Sequence, residues 1–147
     1  MRDKAILLVE DNSDDELLAL RALRKNGIAG DVVVVRDGIE ALDYLFATGG
    51  HAGRDASVVP RVILLDLKLP KIGGLEVLRR LRSDERTRLV PVVILSSSGE
   101  QRDMREGYGL GANSYVRKPV NFEHFVRAVE QLKSYWLVLN EAPPLGA

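Results

Sequence analysis

The run Val62-Ile63-Leu64-Leu65, closed by Asp66, decides the fold. Four aliphatic residues without polar alternation describe a short strand buried on both faces, the habit of parallel sheets covered by helices above and below. Comparable runs stand on either side of it at Ala5–Val9, Val32–Val35, Val92–Leu95 and, more briefly, Tyr115–Val116.

Helical periodicity fills the gaps between them. Ser13-Asp14-Asp15-Glu16 reads as a capping box, with Leu17, Leu20 and Leu23 turned inward and Gly27 as the stop. Asp37 and Glu40 open a second helix whose apolar set is Ile39, Leu42, Leu45 and Phe46. A third follows Gly74 with Leu75, Leu78 and Leu81, and a fourth, from Glu100 to about Tyr108, is so polar that it should be the least buried. The last starts at Asn121 and presents Phe122, Phe125, Val129, Leu132 and Trp136. Strand–helix alternation repeated in this way predicts an α/β protein with a doubly wound, five-stranded parallel sheet and right-handed crossovers. Gly49 to Val59, rich in Gly, Ala and Ser, reads as a loop, and Glu141–Ala147 with Pro143-Pro144 as a flexible tail. The domain is therefore placed at residues 1–140 and the tail at 141–147.

The chain has 147 residues, enough for one core, and its 46% hydrophobic and 29% charged residues are those of a folded globular protein. Lys plus Arg and Asp plus Glu number 21 each, so there is neither the basic field of a nucleic-acid binder nor a polybasic block for an anionic membrane. Absence of cysteine removes disulfides, thiolate nucleophiles and thiolate metal sites. His51 and His124 lack zinc-ligand spacing and are expected in solvated positions. The apolar stretch near the N-terminus is too short for a signal-peptide core or a membrane span, which leaves the cytoplasm as the expected compartment.

In an open α/β sheet, ligands bind beyond the carboxyl ends of the strands, so the polar residues that end the strands matter most. The first strand ends in Glu10 and Asp11, the third in Asp66 and the fourth in Ser96 and Ser97, while the fifth leads into Lys118-Pro119. Taken singly, each has an ordinary explanation as a strand end, a turn residue, a helix cap or a surface lysine. Together they place three carboxylates, hydroxyls and an ammonium on one sheet edge. Crowding like charges there requires a cation, and a sparse all-oxygen ligand set favours Mg²⁺. With Mg²⁺ and Lys118 in place, one carboxylate can attack phosphorus, and Asp66, at the end of the central run, is the best placed. Pro70 fixes the loop after it, and Gly74 is expected to allow an unusual turn.

Ile6-Leu7-Leu8-Val9-Glu10-Asp11, Leu65-Asp66-Leu67-Lys68-Leu69-Pro70 with Gly74, Ser96-Ser97 and Lys118-Pro119 together resemble the response-regulator receiver domain. The intervals of 30 residues from Asp66 to Ser96 and 22 from Ser96 to Lys118 fit that family, and the similarity runs from about Lys4 to about Leu139. The resemblance implies a flavodoxin-like strand order 2-1-3-4-5 and a phosphoacceptor that takes a phosphoryl group from a histidine kinase onto Asp66. It implies Mg²⁺ on Glu10, Asp11, Asp66 and the backbone carbonyl of Lys68. It makes Lys118 and Ser96 partners of the phosphoryl group, Ser96 and Tyr115 the switch, Lys68 and Ser97 phosphoryl-contacting positions, and the Lys118–Pro119 peptide cis. Glu10 stands where Asp is also frequent. Lys68 stands at a position that in receivers faces the phosphoryl group, and is expected to shield it from water.

Gly49–Val59 and the apolar end Tyr135-Trp136-Leu137-Val138-Leu139 resemble the receivers that serve phytochrome-type kinases, with a bacteriophytochrome as partner. That end carries more apolar surface than a small core needs, which points to a homodimer through the last strand and helix. A phosphotransfer protein is a further partner. Two other functions compete. A Mg²⁺-dependent phosphatase of the haloacid-dehalogenase type would need a second carboxylate where Lys68 stands, so the chain is not expected to be an enzyme. A pseudo-receiver would have lost Asp66, Asp11 or Lys118, and all are present. The 29 residues after Lys118 are too few for a helix-turn-helix, so no fused output domain is expected.

Overall fold

The structure, a computed structural model, describes residues 6–28, 32–118 and 121–144. Strands β1 (Ile6–Val9), β2 (Val32–Val35), β3 (Val62–Leu65), β4 (Val92–Ser96) and β5 (Ser114–Arg117) alternate with helices α1 (Ser13–Lys25), α2 (Gly38–Phe46), α3 (Gly74–Arg82), α4 (Gln101–Gly109) and α5 (Phe122–Leu132). The strands form one parallel sheet in the order β2-β1-β3-β4-β5, with Ile6 opposite both Val32 and Val62 and Leu65 opposite Ile94. This is the expected doubly wound, flavodoxin-like order.

Both faces of the apolar runs are used. Leu7, Val9, Ile63, Leu65 and Ile94 pack against α2 and α3, while Leu8, Leu64, Val93 and Leu95 pack against α1 and α5. Each such side chain contributes roughly 1.5–3 kcal/mol, so unalternated aliphatic strands are the main source of stability. The polar helix α4 buries only Gly107 among its residues, as its composition requires.

Several local expectations change. Helix α1 is capped by Asn12, whose side chain accepts from the Asp15 N–H at 2.9 Å, and not by Ser13. That cap shifts the first turn, and the buried stripe is Ala19, Ala22 and Leu23, while Leu17 points to solvent at 55% exposure. Small alanines let the helix sit close to the sheet, and Glu16, freed from the capping box, forms a two-point ion pair with Arg36 at 2.8–2.9 Å. In α2 the inward face is Ala41, Leu42, Tyr44 and Leu45, and Ile39 lies toward solvent. His51 is half-buried rather than solvated: it meets Glu40 at 3.3 Å and the Tyr44 ring edge-on. His124 is exposed, as expected. The loop after α2 is tied down by Arg54, which lies 3.9 Å over the Tyr44 ring and donates to the carbonyls of Tyr44 and Val58.

Beyond α5 the chain continues as a π-helical stretch, Lys133–Leu139. Trp136 turns into the core, whereas Tyr135, Val138 and Leu139 face outward. Arg61 anchors this stretch through the carbonyls of Trp136 and Asn140. Among the described residues, no helix is long and apolar enough to cross a membrane.

Candidate functional site

Glu10, Asp66 and Lys118 are each the first residue past a strand, and each stays in the ladder by a backbone bond to the next strand. Glu10 N–H donates to Val35 O at 3.0 Å, Asp66 N–H to Val9 O at 3.1 Å and Lys118 N–H to Ser96 O at 2.7 Å. These residues are thus held by the sheet itself, at its carboxyl edge. Asp66 and the Glu10–Asp11 pair flank the point between β1 and β3 where the strand order reverses, the ordinary ligand site of this architecture.

Carboxylate oxygens of Glu10, Asp11 and Asp66 lie within 4.8 Å of one another. Glu10 and Asp66 are buried and Asp11 is exposed, which leaves the cluster open on one side. The Lys118 ammonium reaches Glu10 Oε1 at 2.6 Å, Asp15 Oδ2 at 2.8 Å and Asp66 Oδ2 at 3.4 Å. Burial pushes the Glu10 carboxyl up to about 7, helped by neighbouring Asp66 and opposed by the hydrogen bond from Lys118. Burial works against the charge on Lys118, but its bonds to Asp15 and Glu10 and the charges of Asp66 and Glu10 hold its pKa above the usual lysine value. One ammonium cannot neutralise this many carboxylates. An all-oxygen donor set with an open face suits a hard divalent cation such as Mg²⁺ that keeps part of its water.

The loop after β3 is shaped around Asp66. Lys68 N–H points at Asp66 Oδ1 at 3.4 Å, while the Lys68 side chain is exposed. Lys71 takes the left-handed conformation, φ 69°, which the sequence suggested for glycine. Gly74 has another purpose: a Cβ there would lie 2.2 Å from the Asp66 carbonyl oxygen, so only glycine lets α3 start against the Asp66 backbone.

Ser96 is buried at the end of β4, its hydroxyl oxygen accepting from Ser98 N–H at 3.1 Å, and Ser97 is exposed beside it. The Tyr115 hydroxyl donates to Ser98 O at 2.9 Å, and Ser98 Oγ donates to Asp103 Oδ2 at 2.6 Å. Both switch candidates therefore touch the β4–α4 loop, Ser96 from within and Tyr115 from β5. The expected cis peptide involves Pro119, which lies outside the described residues. Sequence reasoning missed Asp15. It stands in α1, 103 residues from Lys118, and the capping pattern offered a sufficient local explanation for it.

Residues 6–130 match the family model of the response regulator receiver domain. The chain is 46% identical over 138 residues to the probable methanogenesis regulatory protein FilR2 of Methanothrix harundinacea, covering 94% of this chain and 86% of that one. It superposes on the phosphorylated cyanobacterial phytochrome response regulator RcpA with a TM-score of 0.87 at 39% identity, covering 96% of this chain and 99% of that one. For the bacteriophytochrome response regulator RtBRR the TM-score is 0.78 at 51% identity, over 98% and 86% of the two chains.

Proposed function

The chain belongs to the response regulator receiver domain family, and from that premise we propose that Asp66 takes a phosphoryl group from the phosphohistidine of a histidine kinase. The observation that carries the proposal is the convergence of Asp66 with Glu10 and Asp11 within 4.8 Å and with the Lys118 ammonium at 3.4 Å. An Asp66 carboxylate oxygen attacks phosphorus as the phosphorus–nitrogen bond breaks. The electron pair leaves with the imidazole, and an acyl phosphate remains. Lys118 then pairs with a phosphoryl oxygen, while Ser96 and the backbone N–H groups of the loop donate to the others. Glu10, Asp11, Asp66 and the Lys68 carbonyl would hold Mg²⁺, which offsets the charge that builds on the transferring group.

The new charge biases the β4–α4 loop. Ser96 turns toward the phosphoryl group and Tyr115 follows it inward, altering the face formed by α4 and β5. Lys68 covers the acyl phosphate and slows its hydrolysis, and Ser97 contributes a further contact. The protein is a signalling acceptor with self-catalysed transfer and dephosphorylation rather than a turnover enzyme, because Lys68, not a carboxylate, stands two residues after the nucleophile. Similarity to RcpA and RtBRR favours a phytochrome-type histidine kinase in the cytoplasm as donor. A phosphotransfer histidine serves as an onward acceptor. Exposed Tyr135, Val138 and Leu139 suit a homodimer through the last strand and helix. Sedimentation of Val138→Asp checks the last point, with a monomer expected.

The direct test is transfer from a labelled, autophosphorylated histidine kinase in Mg²⁺. Label should move to the wild type and should not move to Asp66→Asn or in the presence of a chelator. Equal transfer to Asp66→Asn would overturn the assignment.

A further inference from the structure

The Lys118 ammonium has three hydrogens, and all are engaged: Glu10 at 2.6 Å, Asp15 at 2.8 Å and Asp66 at 3.4 Å. Its two shorter bonds go to residues other than the acceptor. Glu10 belongs to the carboxylate cluster that suits a cation, and Asp15 does not. Asp15 also has no capping duty, since Asn12 caps α1 and uses only the Asp15 backbone N–H. Among the described residues, the hydrogen-bond partner of the Asp15 carboxylate is Lys118. A small cavity between α1 and α5, lined by Leu18, Ala19, Leu95 and Phe125, opens beside the Asp15–Lys118 pair and leaves Lys118 room on that side.

We propose that Asp15 is a positioning residue that holds the Lys118 ammonium at a second station on α1 and competes with the phosphoryl group for it. A phosphoryl group on Asp66 adds a charge of about −1.5 to −2 and three strong acceptors. It draws Lys118 toward Asp66 and sets the Asp15 carboxylate free, so part of the attraction between Lys118 and the phosphoryl group is spent on breaking the existing ion pair. The inference rests on Asp66 being the acceptor.

The test titrates beryllofluoride, a non-transferable phosphoryl mimic, into the Mg²⁺-loaded 147-residue chain. Asp15→Asn keeps the side-chain shape, Asp15→Glu keeps the ion pair, and Asp14→Asn removes an equal charge from the same turn where no bond to Lys118 exists. Asp15→Asn should bind the mimic about two- to fivefold tighter, the range for one half-exposed ion pair. Asp15→Glu and Asp14→Asn should match wild type. In the metal-free protein, the Lys118 ammonium nitrogen resonance should move with Asp15→Asn and stay in place with Asp14→Asn. Unchanged or weaker binding by Asp15→Asn overturns the inference while leaving Asp66 as acceptor. Equal tightening in Asp14→Asn overturns it too, because the effect would then be the field of an acidic turn. A wild-type protein that binds Mg²⁺ but not the mimic removes the acceptor assignment and this inference with it.

Discussion

At the amino ends of β4 and β5, Arg82 donates to the carbonyls of Val90 at 2.7 Å, Arg88 at 3.1 Å and Gly111 at 2.8 Å, and to Asn113 Oδ1 at 3.1 Å. At the carboxyl ends of the same strands, Lys118 meets three carboxylates at 2.6 to 3.4 Å. Each end thus takes up one cationic side chain, but the acceptors differ in kind. Carbonyls of a fixed backbone carry no net charge and have nothing to exchange. The Arg82 guanidinium therefore ties the α3–β4 connection to the α4–β5 turn. Carboxylates that outnumber their cation are costly at rest and cheap to reorganise once a divalent ion or a phosphoryl group arrives. One end of the sheet is settled and the other is poised.

Replacing charges at the two ends tests that contrast. Arg82→Met leaves the part-buried Val90 carbonyl without this donor and hands the exposed acceptors at Arg88, Gly111 and Asn113 to water, so it should cost about 1–2 kcal/mol in urea unfolding, with phosphoryl acceptance by the folded fraction unchanged. A loss of acceptance without loss of stability would erase the distinction. Addition of Mg²⁺ should act only at the other end: at about a hundred times its dissociation constant it should stabilise wild type by about 2.7 kcal/mol in the same assay. Asp11→Asn should lose most of that gain. Asp66→Asn, measured in chelator, should stabilise the protein by about 1 kcal/mol, because it relieves repulsion with Glu10 and Asp11. Destabilisation there would mean that the carboxylate cluster is structurally balanced without a cation. Lys68→Ala should change stability by less than about 0.5 kcal/mol, since its side chain is exposed, yet shorten the lifetime of the acyl phosphate. An unchanged lifetime removes the shielding role.

Legibility in the sequence followed the same division. The strands, their parallel arrangement and the residues that end them were readable, because unalternated aliphatic runs closed by Glu10, Asp66 or Ser96 have few other uses, whereas the order 2-1-3-4-5 came from the family resemblance. The polar character of α4 and the caps Asp37 and Asn121 were local signals, and they held. Leu17 was misplaced because the inward stripe of α1 is carried by Ala19 and Ala22, whose small side chains give a weaker apolar signal than a leucine. His51 was misread because its environment is a loop folding back on α2, which periodicity does not describe. Gly74 was identified, but for the wrong reason: its role is close approach to the Asp66 carbonyl, a contact between two elements. Asp15 was missed because it lies on α1 while its partner Lys118 follows β5, 103 residues on. Local patterns carry local structure, whereas long-range ion pairs appear only once the strands are aligned.

The most direct test of Asp66 as acceptor is intact-protein mass after incubation with Mg²⁺ and acetyl phosphate, followed by borohydride reduction and peptide mapping. The acceptor assignment predicts a gain of one phosphoryl group in wild type and none in Asp66→Asn, with the reduced residue mapping to position 66. A phosphoryl gain in Asp66→Asn, or reduction mapped to Glu10 or Asp11, would contradict it.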